Sequence, residues 1–234
     1  MKHRGKHPND DKLFAPPQQD KLREAVKDLS FLLERGYAEK SASQLVGNRY
    51  RLTARQIKAI QRIACSPTDM EQRLFKHLAP KALDGKSIEI DGYNLLIITE
   101  VALSGAYIFE GVDSCYRDIA SVHGTYKKVE ETIPALTLLG EVMQKLGVAH
   151  AHWYFDAPVS NSGRMKTLLY ELAKEKGFPW NIDLANSPDK TLAKHNAITI
   201  TSDGWIIDQV DQWCNLAKFV IDSHIPNANI VRFY

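Results

Sequence analysis

Four aspartates recur at one kind of place in this chain. Asp91 closes the apolar-polar run 87–91, and Asp156 follows the run 151–155. Asp189 opens a helical segment just after the run 180–184, and Asp203 stands two residues past the run 197–201. If these runs are strands of a parallel sheet, all four acids lie beyond its carboxyl edge, where such sheets bind ligands. Carboxylates gathered there repel one another and lose solvation unless a cation neutralises them. Mg2+ or Mn2+ takes oxygen ligands, keeps several waters and contacts substrate phosphates. Metal-assisted hydrolysis of a phosphodiester is the chemistry this set suits. Any one Asp after a strand reads as readily as a cap of a turn or helix. The repetition at four places favours a metal site.

The elements that must position these acids can be read from periodicity. Residues 86–234 alternate strands with helices, predicted at 129–146, 164–176, from 188 and at 208–216, with a last strand at 219–221. That alternation predicts an α/β domain, a parallel sheet covered by helices on both faces. The stretch 103–128 reads least clearly, with a hairpin expected over Tyr107 to Cys115. Ahead of this domain, Leu22, Val26, Leu29, Leu32 and Leu33 recur at helical spacing, and Gly36 stops that helix. A short helix over 41–46, a turn at Gly47-Asn48, a third helix capped by Thr53 and a fourth over 69–78 complete a small helical domain, 18–80. Residues 1–17, polar and ending in two prolines, read as a disordered leader.

Charge is split between these parts. Residues 1–70 hold 14 Lys and Arg against 8 Asp and Glu, a balance of +6; the remaining 16 against 20 leave −4. A basic front end suits an anionic partner such as nucleic acid, and equally reads as solvated helix faces. Arg55, Lys58 and Arg62 share one face of the third helix, which with the short helix before it resembles a helix-turn-helix; they could track phosphates or serve packing. Ser160, Ser162, Arg164 and Lys166 surround the start of helix 164–176, where a phosphate could sit; an ordinary cap by Ser162 is the plainer reading. Arg117 lies in a stretch with Tyr116, Asp118, His123 and Tyr126 that suits single-stranded nucleic acid, or else forms an ion pair with Asp118.

Other chemistries lack their residues. Cys65, Cys115 and Cys214 form no CxxC pair, so neither a disulfide framework nor a thiolate zinc site is expected. His150 and His152 have no partners to complete a zinc site. No GxGxxG follows a strand, no Walker A loop is present, and Asp91-Gly92-Tyr93 lacks the Asp-x-Asp of HAD-type phosphatases. The apolar stretch Tyr93 to Phe109 is broken by Glu100 and Gly105, so no membrane span is expected. No secretory signal is visible, and a reducing, cytoplasmic compartment is the simplest expectation.

Ile90-Asp91-Gly92-Tyr93-Asn94 resembles the opening motif of PIN-like ribonuclease domains of the NYN branch, and Thr201-Ser202-Asp203-Gly204 resembles that branch's Ser-Asp element. Ser187-Pro188-Asp189-Lys190 is similar to the segment that supplies another metal-binding Asp. The resemblance covers about 86–223 and implies a PIN-like three-layer α/β/α fold in which Asp91, Asp189 and Asp203 bind metal. It further implies that Asn94 positions a ligand or the substrate phosphate. The branch's final acid is missing; Trp205-Ile206-Ile207 stands there, with Asp208 a substitute one turn on. Asp156 enters on position alone, as an auxiliary ligand or as a group that orients the attacking water. The whole chain also resembles a prokaryotic family of uncharacterised proteins in which domain of unknown function 434 precedes a PIN-like domain. That likeness is carried by Arg35-Gly36-Tyr37, Val46 to Leu52, Tyr116 to Ile119 with His123-Gly124, and Asp156 to Gly163.

The expectation is thus a nuclease dependent on Mg2+ or Mn2+, acting on RNA rather than DNA. A nucleic-acid-binding protein with a degenerate site and a small-molecule phosphohydrolase are the alternatives. The oligomeric state stays open, a homo-oligomer included.

Overall fold

The computed structural model describes residues 3–120 and 124–233, so His123 lies outside the described residues. Contrary to the expectation of disorder, residues 3–17 are folded onto the rest of the chain. A short helix α1 (Asp10–Leu13) buries Asp10, and Phe14, 2% exposed, packs against the rings of Tyr107 and Phe109. An aromatic ring with a slot to fill outweighs the polar composition around it.

The helical region follows as α2 (Pro16–Glu34), α3 (Glu39–Arg49), α4 (Ala54–Ile63) and α5 (Pro67–Lys76). Thr53 and Gln56 form a capping box at the start of α4, as the spacing suggests. Gly47 makes no turn. It lies inside α3, where a Cβ would meet the Ile57 side chain at 2.5 Å, so glycine permits the close approach of α3 and α4. The apolar faces of α2, α3 and α4 share one core with Phe109, Ile119, Val231 and Phe233.

A 3-10 turn (Pro80–Leu83) leads to β1 (Ser87–Asp91), α6 (Gly92–Leu103), β2 (Tyr107–Glu110), β3 (Tyr116–Arg117), α7 (Thr132–Lys145), β4 (His150–Asp156), α8 (Ser162–Lys176) and β5 (Trp180–Ala185). Next come α9 (Pro188–Leu192), β6 (Ile198–Ile200), α10 (Gly204–Gln209), β7 (Trp213–Cys214), α11 (Leu216–His224) and β8 (Asn229–Val231). Five strands form a parallel sheet in the order β5-β4-β1-β6-β7. The expected hairpin appears as β2 and β3, which with β8 make a second sheet that backs the helical region. The segment 219–221, expected as a strand, lies inside α11, and the helix expected at 208–216 is instead α10, β7 and the start of α11. Val220 and Ile221 are β-branched, yet they bury in the main core as part of a helix; tertiary burial overrides propensity.

The two faces of the parallel sheet differ. Ile88, Ile90, Trp153 and Phe155 join a large apolar core with residues of α6, α7, α8 and α11. Tyr154 instead joins a smaller cluster with Leu192 of α9 and Ile206 and Ile207 of α10. Helices therefore cover both faces, as expected for an α/β domain.

Candidate functional site: four carboxylates at the carboxyl edge

The chain leaves central β1 toward β4 and β5, then returns on the other side as β6 and β7. The crevice between β1 and β6 is the topological switch point, the preferred ligand position in such sheets. Asp91 ends β1 there, and Asp203 follows β6 as the N-cap of α10. Asp156 ends β4, and Asp189 is the second residue of α9, whose start is set by Pro188.

Local geometry fixes these carboxylates. Gly92 opens α6 directly behind Asp91, where a Cβ would lie 2.7 Å from both the Phe155 ring and the Tyr154 carbonyl. Only glycine lets the chain turn from strand to helix against β4 at that spacing. Thr201 Oγ1 donates to Asp91 Oδ2 at 2.9 Å. Asn94 Oδ1 accepts from the backbone and hydroxyl of Ser202 at 2.8 and 2.9 Å, which joins α6 to the end of β6. Asp203 Oδ1 accepts from the Trp205 backbone N–H at 2.9 Å. His195, three residues past α9, donates from Nδ1 to Glu89 of β1 at 2.8 Å and ties the α9 segment to the sheet.

No Lys or Arg is ion-paired with any of the four acids among the described residues, and the proton affinities of Asp91, Asp156 and Asp189 register it. Burial pushes the buried Asp91 up to about 8, with Asp203 adding to it, the Thr201 bond opposing and Asp189 and Asp156 contributing further. Asp156 is raised by partial burial and then by Asp189; Asp189, on an exposed turn, is raised by desolvation and then by Asp203. The set is hard, all-oxygen and undercompensated, the donor chemistry that fits a divalent cation. Among the described residues no three carboxylate, imidazole or thiolate groups already surround one point. Mg2+ requires no such cage, since one or two carboxylates, waters and substrate phosphates complete its shell.

The family model described as a domain of unknown function (DUF5616) matches residues 80–219, the segment that carries all four acids. The chain belongs to the DUF5616 family. A second model, described as a protein of unknown function (DUF434), matches residues 21–76, so the expected domain 434 does stand ahead of the DUF5616 segment. The uncharacterized protein MJ0935 of Methanocaldococcus jannaschii is 32% identical over 203 residues, covering 86% of this chain and 93% of that relative. No solved structure matches the chain. Among the described residues no helix is long and apolar enough to cross a membrane.

Several residues of the DUF5616-family chain expected at the site have other work. Asp208 is gripped at both oxygens by Arg73, at 2.7 and 2.8 Å, so it does not replace the missing acid. Arg117 is buried and donates to both oxygens of Asp113, at 2.8 and 2.6 Å, and to the Ser202 carbonyl at 2.7 Å. It is a structural cation, and its partner is Asp113 rather than Asp118. Ser162 is buried; its hydroxyl donates to the Asp156 carbonyl at 2.6 Å and meets the Tyr93 hydroxyl at 2.7 Å. It holds the Asp156 loop and is closed to a phosphate. Lys166 reaches Asp183 at 3.1 Å, whose other oxygen accepts from His152. Ser160 and Arg164 remain exposed at the start of α8.

The cationic row on α4 is also dismantled. Arg55 pairs with buried Asp10, and Lys58 donates to the Ile119 carbonyl at 3.3 Å, while Arg62 is exposed. The reason is the folded leader and the segment after β3, both of which pack on α4. Conversely, Thr201, Ser202 and Tyr93 were assigned no role by sequence, although Thr201 holds Asp91, Ser202 holds Asn94 and Tyr93 meets Ser162 beneath the Asp156 loop. The hydroxyl types at 201 and 202, directly ahead of Asp203, were the available signal.

Proposed function

We propose that this protein is a divalent-metal-dependent hydrolase of phosphodiester bonds in nucleic acid, RNA in preference to DNA. The observation that carries the reading is that Asp91, Asp156, Asp189 and Asp203 lie along one edge of the sheet, with Asp91 feeling the charge of the other three and no Lys or Arg ion-paired to any of them among the described residues. A fold that needed these acids only for capping would not hold Asp91 buried beside three others. The likeness of the Asp91 and Asp203 segments to NYN-type PIN-like domains supports the same reading.

Mg2+ or Mn2+ held by Asp91, Asp189 and Asp203 would neutralise charge growing on the phosphate oxygens and acidify an attacking water. Asp156 orients that water and accepts its proton, the role its raised proton affinity suits. Asn94, its Oδ1 engaged by Ser202, presents its amide N–H groups to a phosphate oxygen. Thr201 keeps Asp91 in register with the crevice. The three cysteines are free and buried, in keeping with a reducing, cytoplasmic setting.

Mn2+ titration by calorimetry, with cleavage of a labelled single-stranded RNA followed in parallel, tests the proposal on wild type and Asp91→Asn. Binding and cleavage lost together in the variant support it. Absence of Mn2+ binding by folded wild type would falsify it.

A further inference from the structure

A groove of 530 Å³ lies between the helical region and α10, and Asp203 is the one acid of the four-acid site in its lining. Its wall includes Lys58, Arg62, Arg73, Arg117, Asp203 and Trp205. Arg73 and Arg117 are held by Asp113 and Asp208, whereas Arg62 is an exposed residue whose charge is felt by Asp118. Glu39 and Asp69 also line the groove, so its net charge does not by itself select a polyanion.

Trp205 is what selects. It is 50% exposed, while Trp153, Trp180 and Trp213 are 0%, 8% and 2% exposed. An indole left half in water, on the wall of a groove beside a reactive centre, is a large apolar face without a partner. Its backbone N–H donates to Asp203 Oδ1 at 2.9 Å, so the main chain that carries the ring is tied to an acid of the site. Flat π-faces beside a cation are what single-stranded nucleic acid uses, because every base stacks whatever its sequence.

We propose that this groove is the path of a single-stranded nucleic acid, with Trp205 stacking on a base next to the scissile phosphate and Arg62 contacting the backbone. The proposal rests on the phosphodiester reading of the four-acid site and adds the route by which the strand arrives. It gives the helical region a part in the site, since Lys58 and Arg62 on α4 form the wall opposite α10.

The test uses the full chain in EDTA, so that binding is read without cleavage. Uridine and deoxyuridine oligomers of about twelve nucleotides, and an abasic strand of equal length, are titrated while tryptophan emission and strand anisotropy are followed. With three of the four indoles buried, quenching reports Trp205. Saturable quenching by base-bearing strands and weaker binding without quenching by the abasic strand are expected. Trp205→Ala weakens binding about 5- to 150-fold, and Trp205→Phe restores most of it without the quenching signal. Arg62→Ala lowers the slope of log affinity against log salt by about 1. A preference between the two oligomers names the sugar.

Failure of wild type to bind any strand overturns the proposal, and so does Trp205→Ala binding as wild type does. If the latter occurs while wild type still cleaves RNA with Mn2+, the groove is wrong and the hydrolytic reading stands. If quenching and the Trp205→Ala loss hold but no divalent ion supports cleavage, the groove stands and hydrolysis falls.

Discussion

Asp91 and Asp113 are both buried carboxylates, yet the fold treats them oppositely. Asp113 receives hydrogen bonds from Arg73 and Arg117, and although burial opposes it, Arg117 and then Arg73 hold its pKa down at about 2. Asp91 receives one hydroxyl hydrogen bond and three acidic neighbours, and rises to about 8. The first cluster is complete as it stands: Asp113 and Asp208 satisfy two arginines that tie α5, α10 and β3 together. The second is incomplete, because its charges have no counterpart among the described residues. Burial and residue type are shared, so compensation is what separates the structural Asp113 from Asp91, the acid proposed to bind metal.

The sharpest way to break this contrast is to neutralise one acid from each side. Asp91→Asn is expected to lower metal-dependent cleavage on the order of 10³-fold, since charge stabilisation at such centres is worth several kcal/mol. The protein should stay folded, as circular dichroism would check. Asp113→Ala should do the reverse. Leaving Arg117 buried without its acid, and Arg73 with Asp208 alone, costs about 3–5 kcal/mol, read as a lower urea midpoint.

The pH dependence should also run in opposite directions. An unfolded Asp ionises near 3.8, but Asp91 holds its proton up to about 8 in the fold. Between those values the folded chain binds the proton that the unfolded chain has released, so metal-free stability falls as pH rises across the window. Asp91→Asn should flatten that decline. The depressed Asp113 contributes stability in full above 3.8 and loses it as pH falls toward about 2. Urea denaturation in EDTA at stepped pH measures both limbs. A flat profile for wild type between 4 and 8 would contradict the uncompensated state of the four acids.

The smallest effect is expected at the boundary between the clusters. Asp208→Asn weakens one half-exposed grip on Arg73 and should cost about 1 kcal/mol or less. Cleavage within a few-fold of wild type, with Mn2+ affinity unchanged, is the expected outcome. A loss comparable to that of Asp91→Asn would return Asp208 to the metal site and erase the comparison.

Legibility in the sequence followed locality. β1, β4, β5 and α8 were readable to within a residue or two, because their patterns are set by their own side chains. Helix α6 was missed altogether: ten of its twelve residues are buried, so no polar face produces a periodic signal. It is also the element that turns Asp91 and Asn94 toward β6. Phe14 and Asp10 gave no hint that the leader is folded, since their partners Phe109 and Arg55 lie far along the chain.

The sequence by itself determined the alternation of strands and helices, and with it the arrival of Asp91, Asp156 and Asp203 at one edge of a parallel sheet, because side-chain period and strand direction are local properties. Only the tertiary structure decided which charges are answered. Arg73 takes Asp208, Arg117 takes Asp113 and Asp10 takes Arg55, across separations of 135, 4 and 45 residues. Two of those three pairings join distant segments, and charge compensation depends on distance and burial that no local pattern encodes.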